Sequence, residues 1–155
     1  MAGEINLKRA QQVYKDLCDK LDEMKLRYTK HEKDLVITFT VTGDDLPMQF
    51  VLNIDAKREL IRLISPLPVQ FTGEKKVEAC IATSQANYTL ADGSFDFDFK
   101  EGTIYFRMTS SYVDSLISKD LFAYMISVAC LTVDEYNDKF LMLSKGMLAL
   151  EEFFK

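Results

Sequence analysis

The sequence has few of the residues from which metal sites and catalytic sites are built. It contains one histidine and three cysteines. His31 has no partner at metal-ligand spacing, and no glycine-framed serine indicates a nucleophile. No Cys-x-x-Cys pair indicates structural zinc or thioredoxin-type redox chemistry, and the usual glycine-rich phosphate-binding motifs do not occur. The sequence therefore predicts no cofactor and no bound metal, and His31 is expected to be an exposed turn residue.

Basic clusters and long apolar runs are missing as well. The chain has 19 basic and 24 acidic residues, a formal charge of -5, which argues against nucleic acid as a partner. No apolar run approaches membrane-spanning length, and residues 1–4 begin a polar helix rather than a signal peptide. We therefore expect no membrane association and a cytoplasmic location. In that reducing compartment, Cys18, Cys80 and Cys130 are expected to be free and to behave as small buried hydrophobic residues of helices.

A β-hairpin between Gly93 and Met108 is the clearest pattern that the sequence does contain. Apolar and polar residues alternate on both sides of a short turn at Lys100-Glu101-Gly102. This period of two predicts two antiparallel strands with one dry face and one wet face. The residues expected on the dry face are Phe95, Phe97, Phe99, Ile104, Phe106 and Met108.

Helical and strand periodicities predict the remaining elements of one domain, residues 1–155. A first helix is expected at residues 5–25, a weak strand at 26–30, and half-buried strands at 35–42 and 48–55. A fourth strand at 59–64 is apolar on both faces and ends at Pro66 and Pro68. A second helix follows Thr72 as its N-cap, and it carries Val77, Cys80, Ile81 and Ser84.

A long last helix is predicted from Ser118 to the end of the chain. At about 1.5 Å per residue it would span roughly 50 Å, more than the core of a small domain covers. Its apolar stripe therefore either breaks near residues 131–134 or partly faces another chain. Gly146 is expected to weaken the helix without ending it. The candidate dimer stripe comprises Met125, Tyr136, Phe140, Leu143, Met147 and Leu150.

Acidic residues cluster around the predicted hairpin, at Asp92, Asp96, Asp98 and Glu101. Their spacing does not match an EF-hand calcium loop. Asp96 and Asp98 could act as an acid/base pair together with Arg107. Alternation with phenylalanine is, however, also what a solvated hairpin face requires, and Arg107 is expected to form an exposed ion pair with these aspartates.

The wet side of the predicted strands forms a candidate protein-binding surface. Tyrosine and arginine are favoured at protein interfaces, and the other side chains of this face are mostly uncharged. The surface comprises Thr38, Thr40, Gln49, Val51, Asn53, Tyr105 and Arg107. A solvated face with an ordinary cross-strand ion pair remains the alternative interpretation.

The order helix, four strands, helix, two strands, helix resembles the YbjN-type family of candidate bacterial sensory transduction regulators. Segments along most of the chain support the resemblance: Leu63-Ile64-Ser65-Pro66-Leu67, Asn87-Tyr88, Gly93-Ser94-Phe95-Asp96-Phe97-Asp98, Glu101-Gly102-Thr103-Ile104-Tyr105-Phe106-Arg107 and Asp134-Glu135-Tyr136. The resemblance implies an α+β fold of the type III secretion chaperone kind. It also implies a non-enzymatic, often dimeric protein that binds other polypeptides, and it supplies no catalytic residues.

Three functional hypotheses follow from the sequence. The first is a homodimeric, chaperone-like regulator that binds a protein or peptide. The second is a small-molecule sensor with a pocket between sheet and helices, lined by the phenylalanines. The third is an enzyme built on Asp96, Asp98 and Arg107, which requires these groups to converge in a concave site.

Overall fold

The computed structural model describes residues 6–155. Residues 1–4 and the predicted first helical residue, Ile5, lie outside this range. In chain order the elements are α1 (Leu7–Glu23), β1 (Thr29–His31), a 3-10 turn (Glu32–Asp34), β2 (Val36–Thr42), β3 (Pro47–Asp55), β4 (Leu60–Pro66), α2 (Lys75–Thr89), β5 (Ser94–Asp98), β6 (Thr103–Ser111), α3 (Lys119–Ser144) and α4 (Leu150–Phe153).

The strands form one six-stranded antiparallel sheet in the order β1-β2-β3-β4-β6-β5. Strands β1 to β4 are neighbours in sequence, and the β5–β6 hairpin then pairs through β6 with β4. This arrangement confirms the predicted α+β class and the predicted element order. The weak first strand is shorter than expected and begins only at Thr29.

Helices pack on one face of the sheet, and the inward side chains of the strands supply the core beneath them. In β4, which is apolar on both faces, Ile61 and Leu63 are fully buried while Leu60 and Ile64 point to the other side. An aromatic cluster joins sheet and helices, because the Phe95 ring lies 5.1–5.3 Å from the rings of Phe106, Tyr136 and Phe140.

Fewer residues of the hairpin are buried than its alternating pattern predicts. Phe95 is only 2% exposed, but Phe99 is 55% exposed, and Phe97 lies partly buried between Phe71 and Phe99. The physical reason is that β5 ends at Asp98, so Phe99 belongs to the turn and leaves the pleat of the strand. Ile104, Phe106 and Met108 on β6 are buried as predicted.

Helix α2 presents a different face to the core from the one its apolar residues suggest. Its buried residues are Ala79, Ala82, Thr83 and Ala86, whereas Val77, Cys80 and Ile81 are exposed. The helix begins at Lys75, and the predicted N-cap, Thr72, lies outside it. The expectation of a buried cysteine is therefore wrong for Cys80; Cys18 is buried and Cys130 is half-buried.

Helix α3 continues through residues 131–134, where a break was one of the two alternatives, and ends at Ser144. Gly146 has a φ of +70°, a left-handed conformation that glycine adopts at little cost, and the Met147 N–H donates to the Met142 carbonyl. The expectation that Gly146 does not end the helix is wrong. The chain then turns into α4, whose Phe153 packs 4.9 Å from the Phe140 ring.

Candidate protein-binding surface

The face of the sheet away from the helices, here called the open face, is made by the outward side chains of the strands. Strand pairing places Thr38, Val51, Ile64 and Arg107 in one row across β2, β3, β4 and β6. No helix of the described residues packs on this face. The structure brings the predicted surface residues together on it: Thr38, Thr40, Gln49, Val51, Asn53, Tyr105 and Arg107.

The centre of the open face is apolar and half-buried. Val51 and Ile64 lie side by side there, and Val36 is in the neighbouring row, opposite Asn53. Sequence reasoning did not assign Val36, Ile64 or Arg62 to the face. Residues 60–64 carry large apolar side chains on both faces of the strand. Only the pairing of β4 with β3 and β6 therefore shows which of its side chains point outward.

The arginines of the open face have carboxylate partners. The Arg107 Nε lies 2.7 Å from an Asp96 oxygen, and the Arg62 guanidinium lies 3.8 Å from Asp55. This confirms the expected ion pair between Arg107 and an aspartate of the hairpin, Asp96. Because Arg107 and Asp96 both remain partly exposed, this ion pair contributes little to stability.

The acidic pair proposed for catalysis is divided between two structural roles. Asp96 pairs with Arg107, whereas an Asp98 carboxylate oxygen accepts hydrogen bonds from the backbone N–H groups of Lys100 and Glu101 in the turn. His31 is exposed, with its Nε2 3.4 Å from the Thr38 Oγ1. No group of three or more potential ligands among residues 6–155 is arranged to hold a metal ion.

Several groups away from the open face have shifted pKa values. Burial raises the pKa of Tyr14 to about 12 and the pKa of Cys130 to about 11. Burial also raises the pKa of Cys18. A raised thiol pKa keeps the sulfur protonated at neutral pH, the opposite of an activated nucleophile.

Asp55 organises the turn that connects β3 to β4 at one end of the open face. Its carboxylate accepts hydrogen bonds from the backbone N–H groups of Lys57 and Arg58 and from the Arg58 guanidinium. Desolvation by burial opposes ionisation, but these donors outweigh it and hold the pKa of Asp55 below its usual range. The turn therefore depends on the ionised carboxylate.

The two edges of the sheet differ in how far they could pair with a further strand. At the β5 edge, the Asn87 side chain donates to the Phe95 carbonyl and accepts from the Phe95 N–H, at 2.9 and 2.7 Å. A second chain therefore cannot pair with β5 at this residue. At the other edge, β1 pairs with residues 36–38 of β2, and no strand in residues 6–155 pairs with the outer side of residues 39–42.

A shallow depression of about 470 Å³ lies beside this free stretch of β2. Arg27 and Tyr28 border it on the chain that leads into β1, and the outward residues of β2 and β3 form much of its floor. It joins the open face because Thr38, Thr40, Gln49 and Val51 belong to both. The candidate site is thus a flat, largely uncharged surface that continues to an open sheet edge.

We expect Asn87→Asp to lower the free energy of unfolding by about 1–3 kcal/mol, because it leaves the Phe95 carbonyl facing a carboxylate oxygen instead of a donor. Chemical denaturation would measure the loss. Gln85→Glu is the matched control, since it makes the same charge change at an exposed position of the same helix. Equal stability of the two variants would contradict the role assigned to Asn87.

The candidate dimer stripe is mostly inside the protein. Met125, Phe140 and Leu143 are buried in the chain's own core, and Tyr136 packs on Phe95. Leu150 is also partly buried, and of the stripe only Met147, at 67%, is strongly exposed. The residues recur at helical spacing because they cover the sheet, which corrects their interpretation as a face left for a second chain.

Among residues 6–155, three of the phenylalanines that the sensor hypothesis places around a pocket are fully buried in the core between sheet and helices. The Phe95 ring lies against the rings of Phe106 and Phe140, and these side chains fill that part of the interior. No helix in residues 6–155 is long and apolar enough to cross a membrane.

The fold is found in several solved structures. A chain of the ExsC–ExsE complex superposes with a TM-score of 0.59 at 13% identity, covering 85% of this chain and 96% of its own. A chain of the HopA1–SchA chaperone–effector complex gives 0.59 at 12% identity, covering 88% and 98%. YbjN from E. coli, described as a candidate transcription regulator, gives 0.57 at 10% identity, covering 81% and 92%.

The fold is that of YbjN and the type III secretion chaperones. It confirms the architecture that the sequence resemblance implied. No protein-family profile matches the chain, and no curated protein sequence matches it significantly. At these identities the similarity establishes the fold alone.

Proposed function

We propose that this chain is a non-enzymatic, chaperone-like regulatory protein that binds a polypeptide on its open face. The observation that carries the proposal is the open face itself, where half-buried Val51 and Ile64 are surrounded by uncharged polar side chains and paired arginines. Such a surface offers apolar contact and hydrogen bonds without requiring a charged partner.

Two further observations support this proposal. The structures that share the fold include a chaperone–effector complex, in which a chain of this architecture holds another protein. The free edge at residues 39–42 of β2 also offers backbone groups to an extended segment lying beside the open face. We further propose that the protein acts in the cytoplasm, as a homodimer.

The proposal is tested by capture of partner proteins from a lysate of the source cell. We expect Val51→Glu and Ile64→Glu each to weaken binding of the captured polypeptide by roughly 30-fold or more, because each buries an unpaired charge at the centre of an interface. Affinity for the purified partner would be measured by titration calorimetry.

Leu131→Glu is the control for this experiment. Leu131 is strongly exposed on α3, so the variant gains the same charge away from the open face. Leu131→Glu is expected to keep the melting temperature of the unchanged protein, and the affinities are measured at a temperature at which all three variants are folded. Full affinity in both open-face variants, or an equal loss in the control, would contradict the proposed binding surface.

A further inference from the structure

The free stretch of β2 offers its backbone groups to a partner at Thr40. The Ile54 N–H donates to the Leu35 carbonyl at 3.0 Å, so this carbonyl faces β3. Backbone groups of successive strand residues point to opposite sides, so those of Phe39 also face β3 and those of Thr40 face the outer edge. Thr40 is exposed, and no strand of residues 6–155 pairs with it on that side. A segment lying there would receive a donor and an acceptor from Thr40.

The space beside Thr40 is kept open by contacts within the chain. Strand β1 begins at Thr29, and the residue before it is tied to α1 instead of pairing with β2. The Tyr28 hydroxyl lies 2.8 Å from an Asp22 carboxylate oxygen and 3.3 Å from the Cys18 carbonyl oxygen. The depression of about 470 Å³ lies between this segment and the outward side of β2 and β3.

Among residues 6–155, Arg27 is the one charged residue that lines this depression. The strand segments that form its floor, residues 35–43 and 46–54, contain no charged side chain. Arg27 is exposed, and no carboxylate of the described residues lies within ion-pair distance of its guanidinium. Arg62 and Arg107, by contrast, are already paired with carboxylates.

The charge around Arg27 is positive in a chain that is negative overall. The segment between α1 and the 3-10 turn contains Lys25, Arg27 and Lys30 and no acidic residue, whereas the whole chain has a formal charge of -5. Asp44 and Asp45 follow β2 at the opposite end of the free stretch. A carboxylate is therefore attracted to the Arg27 end of the depression and repelled from the other end.

We propose that the segment of the bound polypeptide that pairs beside Thr40 carries an acidic side chain, and that Arg27 binds its carboxylate. This assignment rests on the proposed function and adds the chemistry of the partner. The centre of the open face requires no charged partner, so the selection arises at its edge. An arginine guanidinium can donate two parallel hydrogen bonds to a carboxylate, so Arg27 both holds the segment and selects it.

Two fluorescently labelled synthetic peptides test this proposal. Both are capped octapeptides of alternating threonine and valine, and they differ only in one central residue, which is glutamate or glutamine. Fluorescence anisotropy at low salt is expected to show that the glutamate peptide binds the full chain more tightly by roughly 5-fold or more. The preference is expected to disappear at about 0.5 M salt, because salt screens a partly exposed ion pair.

Arg27→Gln is expected to abolish the preference for the glutamate peptide, and Arg27→Lys to keep part of it. Lys25→Gln is the matched control and is expected to keep the preference, since it removes the same charge two residues away and Lys25 does not line the depression. Val51→Glu changes the floor of the depression and is expected to weaken the binding of both peptides.

Equal binding of the two peptides to the unchanged protein, or a preference that Arg27→Gln leaves intact, would overturn the role of Arg27 alone. Weaker binding of both peptides in Val51→Glu would in that case still support the open face. Failure of both peptides to bind at about 1 mM protein would overturn pairing beside Thr40 as well. The proposed function is then decided separately, by the effect of Val51→Glu and Ile64→Glu on the captured polypeptide.

Discussion

Phe95→Ala is expected to lower the free energy of unfolding by about 3–5 kcal/mol, whereas Phe99→Ala changes it by less than about 0.5 kcal/mol. Phe95 lies at the centre of the aromatic cluster, within 5.3 Å of three other rings, and its removal leaves a cavity between sheet and helices. Phe99 is 55% exposed in the turn, so its truncation removes few buried contacts.

The two variants form a matched pair, since they make the same substitution four residues apart. Urea denaturation followed by circular dichroism would give both values. Equal losses would mean that Phe99 is packed like Phe95, and the boundary of the dry face described above would be wrong.

Gly102→Ala is expected to destabilise the protein by more than about 3 kcal/mol, the second large effect. Gly102 adopts a φ of +75°, and a Cβ there would lie 2.1 Å from the Phe71 carbonyl oxygen. The backbone would have to move to make room for this Cβ. That movement would disturb the hydrogen bond from the Phe71 N–H to the Gly102 carbonyl, 2.8 Å long, which joins the hairpin turn to the segment before α2.

Gly73→Ala separates conformational strain from this close contact. Gly73 also has a positive φ, of +55°, but no atom lies within 4 Å of the position that its Cβ would take. The left-handed conformation alone is expected to cost about 1–2 kcal/mol there. If thermal unfolding gave the two glycine variants the same stability, the contact between the turn and Phe71 would not matter.

The order of elements could be predicted because most segments of this chain expose one side only. Alternation marks β2, β3 and β6 directly, and the three-four spacing of α1 points to its buried face. Helix α2 was misread because its core side is made of alanine, which periodicity counts as weakly apolar. Its larger residues dominate the pattern although they point outward.

The candidate surface could be predicted to the extent that it follows alternation. Its polar members lie on the wet side of strands whose dry side is obvious. Ile64 and Arg62 were missed because β4 is apolar on both faces, and Asn87 was missed because its role depends on a strand eight residues away. The last-helix stripe was misassigned because helical spacing shows that a face is buried, not which chain buries it.

The binding role of the open face is tested most directly by methyl NMR of the labelled protein with the captured polypeptide. We expect the methyl signals of Val51 and Ile64 to shift or broaden on addition of the polypeptide, while those of the exposed helix residue Leu131 stay unchanged. Shifts confined to helix methyl groups, with Val51 and Ile64 unaffected, would contradict binding on the sheet.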